Sequence, residues 1–226
     1  MFHDFINILY PSVCHICSTE LLKNENIICT SCLHDLPVTN YQQDNDNPVK
    51  KVFYGRIKLE HATALLQFRK KAGVQQLIHD LKYRGHKEIG IFLGKWMGEE
   101  LAKNEIFQTV HMVIPVPLHQ KKLKTRGYNQ VEGFAREIAK ALKAEYCDDI
   151  LLKTTASTTQ TLKNRISRWG KIEESLIIQK TQQAENKHIL LTDDLITTGA
   201  TIEACAHKLY EIKGVKLSVA AMAITS

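Results

Sequence analysis

The sequence predicts an α/β protein built on a parallel sheet with flanking helices, preceded by a small cysteine-rich segment. Three observations carry that prediction. Strand-like apolar runs alternate with amphipathic helical stretches after residue 108, the pattern of a parallel sheet. The stretch His188 to Glu203 reads as a buried strand, two adjacent carboxylates at its end, a hydroxyl-rich turn with one glycine, and a helix. The opening of the chain holds two Cys-x-x-Cys pairs, Cys14 with Cys17 and Cys29 with Cys32.

A length of 226 residues suits one α/β domain with a small appendage. A hydrophobic share of 44% and a charged share of 24% are ordinary for a globular protein and allow a sizeable core. The formal charge of +6 fits phosphate-bearing partners, and fits plain solubility equally well. No stretch approaches the roughly 18 consecutive apolar residues of a membrane span. Met1 to Val13 is broken by His3, Asp4 and Asn7, unlike a signal peptide, so a cytoplasmic chain is expected. In that compartment six cysteines read as metal ligands or buried thiols rather than disulfides.

Taken in order, residues 1–40 form a zinc-finger-like segment. Thiolates two residues apart both face one tetrahedral ion, and the second pair completes a four-sulfur structural zinc shell of Cys14, Cys17, Cys29 and Cys32. A redox reading is weaker, because no βαβ pattern surrounds either pair. Residues 41–51 are rich in Gln, Asp and Asn and read as a linker, with the main domain at 52–226. His61 to Phe68 has strand-like content. Val74, Leu77, Ile78 and Leu81 recur at helical spacing, and Ile89 to Leu101 resumes an apolar helical stripe after the basic turn Lys82 to Lys87. That turn is expected to be solvated. Val110 to Ile114 reads as a central strand stopped by Pro115 and Pro117. A basic loop through Lys121, Lys122, Lys124 and Arg126 leads to a helix from about Val131 to Leu142. Thr154 to Lys171 is polar and aperiodic and resembles a mobile loop. Leu176 to Ile178 reads as a short strand, Ala200 to Ile212 as a helix and Lys216 to Ile224 as the last strand.

The turn after Leu191 carries the chemistry. Unpaired N–H groups at a helix start attract a phosphate. Carboxylates beside such an anion hole make sense if they accept hydrogen bonds from sugar hydroxyls or hold a divalent cation, so Asp193 and Asp194 before Thr197-Thr198-Gly199-Ala200-Thr201 point to a ribose phosphate. The magnesium strand of a P-loop hydrolase is excluded, since no Gly-x-x-x-x-Gly-Lys-Ser/Thr occurs. Simple helix capping accounts for one carboxylate and leaves the turn unexplained.

Ile189 to Thr201 resembles the phosphoribosyl diphosphate signature of type I phosphoribosyltransferases. More narrowly the chain resembles the ComF family, competence-associated phosphoribosyltransferase-like proteins with an amino-terminal zinc finger. The resemblance also rests on the paired Cys-x-x-Cys units, on Leu81-Lys82-Tyr83-Arg84-Gly85, and on Ile114-Pro115-Val116-Pro117-Leu118-His119 continuing to Arg126-Gly127-Tyr128-Asn129-Gln130. It implies a type I phosphoribosyltransferase fold, with Asp193 and Asp194 on the ribose hydroxyls directly or through Mg2+ and Thr197 to Thr201 on the 5-phosphate. It makes Pro115, Val116, Pro117 and Arg126 candidates for the pyrophosphate loop. It also makes Gln160, Arg165 and Arg168 candidates for a flexible loop, although Lys171 stands where the pattern has asparagine.

Two functions follow as expectations. One is a phosphoribosyltransferase-like protein that binds phosphoribosyl diphosphate with Mg2+ and is linked to DNA uptake, with structural Zn2+; its catalytic base is not assignable. The other is a non-catalytic module using the same fold as a ligand sensor, binding single-stranded DNA or DNA-uptake and recombination proteins, with Lys121, Lys122, Lys124, Arg126 and Tyr128 tracking the strand.

Overall fold

The computed structural model describes residues 11–69, 73–154 and 175–225. Its elements in chain order are α1 (Thr30–His34), a 3-10 turn (Tyr41–Gln43), α2 (Pro48–Lys51), β1 (Ala62–Phe68), α3 (Gly73–Tyr83), α4 (Lys87–Leu101), α5 (Glu105–Gln108), β2 (Met112–Pro115), α6 (Gln120–Arg126), α7 (Glu132–Leu142), β3 (Glu145–Tyr146), β4 (Leu151–Lys153), β5 (Leu176–Ile178), α8 (Thr181–Ala184), β6 (His188–Ile196), α9 (Ala200–Leu209) and β7 (Lys216–Thr225). Five strands form one sheet in the order β1-β7-β6-β2-β3, with every pairing parallel.

Strands buried on both faces need helices on both, and the chain supplies them. On one face α3, α4 and α7 cover Leu65, Val113, Leu190 and Met222; on the other α9 covers Met112, Ile114, Ile189, Leu191 and Val219. The apolar stripe of α7, with Phe134, Ala135, Ile138, Ala139 and Leu142, is entirely buried. Burying Phe134 alone contributes about 2–3 kcal/mol. Gly94 of α4 makes that packing close: a Cβ there would stand 2.7 Å from the Phe134 Cα. The short run at Leu176 is a strand, but β5 pairs antiparallel with β4 in a separate ribbon rather than joining the sheet.

Residues 41–51 lack an apolar run, yet they are seated on the sheet edge. Asn47 is buried, and its side-chain amide donates to the carbonyls of Ala62, Tyr41 and Asp44 at 2.7, 3.0 and 2.6 Å. The two amide hydrogens of Asn47 are shared among these carbonyls, and the fully buried Val49 adds an apolar anchor to the core. Just before it, Thr39 N–H donates to Leu65 and Gln67 N–H donates to Pro37, so residues 37–39 shield the outer edge of β1.

Candidate functional site

The sheet order sets the location. From β2 the chain crosses through α7 to β3 at one edge, whereas from β6 it crosses through α9 to β7 in the opposite direction. Neighbouring β2 and β6 are therefore the switch point, and ligands of open α/β sheets bind in the crevice outside the carboxyl ends of such a strand pair.

Two strand lengths open that crevice. The β2–β6 ladder stops at Pro115 opposite Thr192, while β6 stays paired with β7 as far as Ile196 opposite Ile224. Asp193 and Asp194 are thus the first residues of β6 beyond the reach of β2. The sequence placed them at the strand's end; they lie inside it, because β7 continues to supply partners. Pro115 ends β2 without leaving an orphan on the β6 side. Val116 N–H donates to Thr192 at 2.8 Å, and by the two-residue period the missing donor of Pro115 faces the β3 side, where pairing has ended at Val113. Pro115 and Val116 are buried and Pro117 is half-buried.

Consecutive strand residues face opposite sides. Asp194 turns toward α3 and α7: Lys82 Nζ lies 2.6 Å from one carboxylate oxygen, and Gln130 Nε2 donates to the other at 2.5 Å. Gln130 Oε1 in turn accepts from Arg126. Asp193 is half-buried, with Lys153 among the charges near it, and its Oδ1 accepts from Asp194 N–H at 2.8 Å. Burial, and then the charge of Asp194, push the Asp193 carboxyl up to about 8. A carboxyl held this way gains from an arriving cation or hydroxyl donor.

The turn Thr197 to Thr201 follows directly. Thr197 and Thr198 are exposed, Ala200 and Thr201 half-buried. Gly199 is the N-cap of α9 at φ 76°, and no side chain caps the helix, so its first N–H groups are left for a ligand. Glycine is required twice over here: φ is left-handed, and a Cβ would stand 2.7 Å from Phe53 Cε1. Beneath the turn, Arg56 donates to the Thr198 carbonyl at 2.7 Å and to Glu203 on the first turn of α9. Arg56 and Phe53 were missed by the sequence reading; they come from the far end of the chain, and no local pattern links them to residue 199.

The opposite wall is basic. The stretch read as a loop after His119 is the helix α6, started by His119 Nδ1 accepting from Lys121 N–H at 3.2 Å. A cavity of about 370 Å³ between α6 and the α3–α4 turn is lined by Lys82, Tyr83, Gly85, Lys121, Lys122, Thr125, Arg126 and Tyr128. Four cations and no carboxylate line it, so it favours an anion. The expectation of a solvated turn at residues 82–87 fails at Lys82, whose ammonium is engaged by Asp194, and holds at Tyr83, which is 71% exposed. Tyr128, expected to stack on a DNA strand, is instead buried at 7% exposure and ties the walls together by donating its hydroxyl to the Leu81 carbonyl, so the exposed ring on this wall is Tyr83. Gln160, Arg165 and Arg168 lie outside the described residues.

At the amino-terminal end, Cys14, Cys17, Cys29 and Cys32 converge with their four sulfurs within 4.8 Å of one another. Cys17 and Cys29 Sγ are 3.7 Å apart, close to the separation of about 3.8 Å that Zn–S bonds of 2.3 Å impose in a tetrahedron. Ile16 N–H points at Cys14 Sγ at 3.4 Å. Hydrogen bonds with Thr19 pull Cys17 down to about 6, whereas burial and the adjacent thiols raise Cys32. The donor set fits a zinc ion, and among the described residues every cysteine is free of disulfide bonding.

No protein-family model matches the chain. It is 26% identical over 217 residues to the competence protein ComFC of Bacillus subtilis, covering 94% of this chain and 83% of that one. It is 35% identical over 135 residues to ComFC of Streptococcus pneumoniae, covering 60% and 56%, and 22% identical over 200 residues to the DNA utilization protein YhgH of Escherichia coli, covering 87% and 83%. Among solved structures, adenine phosphoribosyltransferase of Saccharomyces cerevisiae shares 16% identity over 63% of this chain and 72% of its own, at a TM-score of 0.37. The Trypanosoma brucei enzyme shares 13% over 69% of each chain, at 0.40.

Proposed function

We propose that the chain is a ComF-family protein, as its similarity to ComFC and YhgH suggests, and that it binds phosphoribosyl diphosphate with Mg2+ in the β2–β6 crevice, as a phosphoribosyltransferase-like protein of DNA uptake in the cytoplasm. One observation carries the reading. Asp193 and Asp194 leave the β2 ladder between a helix start left open by Gly199 and a cavity lined by four cations. A ligand with a phosphate at one end, vicinal hydroxyls in the middle and pyrophosphate at the other matches that sequence of donors and acceptors.

In this reading the α9 amides and the Thr197 to Thr201 hydroxyls take the 5-phosphate, Asp193 and Asp194 orient the ribose hydroxyls, and Pro115 to Pro117 with Arg126 border the pyrophosphate. Mg2+ would neutralise the diphosphate. For Asp194 to meet the sugar, Lys82 must release it, and the adjacent anion cavity gives the ammonium a new partner. The four cysteines hold one structural Zn2+.

Pyrophosphate release from phosphoribosyl diphosphate across a panel of bases and amines tests the transferase. Acceptor-dependent release is expected. Binding without release on any acceptor would assign a sensor instead. A second reading is favoured by exposed Tyr83 beside Arg126, Lys121 and Lys122: a single-stranded DNA platform combining stacking with charge. Salt-dependent gel retardation of single strands separates the two.

A further inference from the structure

The four-cysteine cluster is one of two groups among the described residues able to hold a metal. In the second, His15, His86 and Glu88 bring one ligand atom each within 4.8 Å of one another. We propose that these three residues form a second transition-metal site, of the zinc class, which clamps the cysteine segment to the sheet domain.

The geometry is compact and comes from distant parts of the chain. His15 sits between Cys14 and Cys17, whereas His86 and Glu88 begin α4. Glu88 Oε1 is 2.7 Å from His86 Nδ1 and 3.8 Å from His15 Nε2, and the two imidazoles meet edge to face with centroids 4.4 Å apart. Ligand atoms on a tetrahedral zinc are about 3.4 Å apart, between those two distances. Two imidazoles and one carboxylate select zinc over magnesium and leave a fourth position for water.

The other nitrogen of His15 supplies an independent sign. Its Nδ1 stands 3.6 Å from Asp80 Oδ2, a carboxylate that is 3% exposed. At that distance the contact is electrostatic rather than a hydrogen bond; it favours a proton on Nδ1, which leaves Nε2 for a metal. Asp80 itself is held by Gln76 Nε2 at 2.9 Å and by Arg84 at 3.4 Å. Ile16 already lies over Gly73 at the start of α3, so the segment is docked and the ligands need no large movement. Because Gly85, next to His86, lines the basic cavity, the clamp would also fix one wall of the candidate site.

Full-length protein dialysed against buffered zinc, followed by elemental analysis, tests the site. Two zinc ions per chain are expected for the wild type and one for His86→Ala and for Glu88→Gln. Asp80→Asn should weaken the second equivalent by about 10-fold or more. Cobalt substitution keeps the sites distinguishable: thiolate charge transfer reports the cysteine cluster and should be unchanged in His86→Ala, while the weaker second band disappears. A wild type saturating at one ion with full thiolate charge transfer overturns the proposal. So does a folded His86→Ala/Glu88→Gln variant that still binds two.

Discussion

The Lys82 ammonium stands 2.6 Å from the carboxylate of Asp194, which is only 5% exposed. This pair joins two stretches that sequence alone leaves separate, the basic turn after α3 and the acidic strand β6. It also ranks the partners of Asp194: Lys82 supplies charge, and Gln130 satisfies the remaining oxygen.

Breaking that pair should be costly. Lys82→Met leaves a buried carboxylate with one neutral donor, and about 3–5 kcal/mol of stability is expected to be lost at neutral pH. Lys82→Met combined with Asp194→Asn should recover most of it. Urea denaturation of both variants checks this, and equal losses would show that the two side chains do not act as a pair.

The brace under the phosphate turn gives a second expectation. Arg56→Ala removes the donor to Thr198 and the partner of Glu203, for an expected loss of about 2–3 kcal/mol. Arg56→Lys should not restore it, because an ammonium lacks the planar fork that reaches both acceptors. Thermal unfolding and affinity for ribose 5-phosphate should fall together in both variants.

Gly199→Ala combines a left-handed backbone with a collision against Phe53 and is expected to cost about 2–4 kcal/mol. Gly199→Ala/Phe53→Leu removes the contact with the ring and leaves both the left-handed backbone and the contact with Val52 Cγ1 at 2.8 Å. The double variant should therefore lose less than the sum of the two single losses measured by denaturation.

Asp193 gives stability a pH dependence. An unfolded aspartate titrates near pH 3.9, whereas the folded group is pushed up to about 8. Between these values the native state holds a proton that the unfolded chain has released, so the contribution is fully present below about pH 4 and is lost as pH rises to about 8. Asp193→Asn should match the wild type in melting temperature near pH 4 and exceed it at pH 8 by about 3 °C or more. The same difference at both pH values would refute the assignment.

Much of the fold was legible because it is local. The buried runs at residues 62–68 and 188–196 follow from near-continuous apolar stretches and the stripe of α7 from apolar residues at a period of 3.6. The acidic turn was legible for the same reason, since strand, carboxylates, glycine and helix are contiguous. What escaped the sequence depends on pairing at a distance. Asn47 anchors a segment whose composition reads as a linker, through three carbonyls that composition does not reveal. Lys82 resembles a solvated charge until β6 places Asp194 beside it. Arg56 reaches Glu203 across 147 positions. His119 converted an expected loop into a helix by accepting from Lys121 N–H, a role that histidine shares with no strong sequence signal.

The most direct test of the central claim is calorimetric titration of the wild type and of a folded Asp193→Asn/Asp194→Asn variant with phosphoribosyl diphosphate in Mg2+. Saturable binding by the wild type, with affinity at least 100-fold lower in the variant, is the predicted result. Equal binding by the two proteins, or no binding by the wild type, would contradict it.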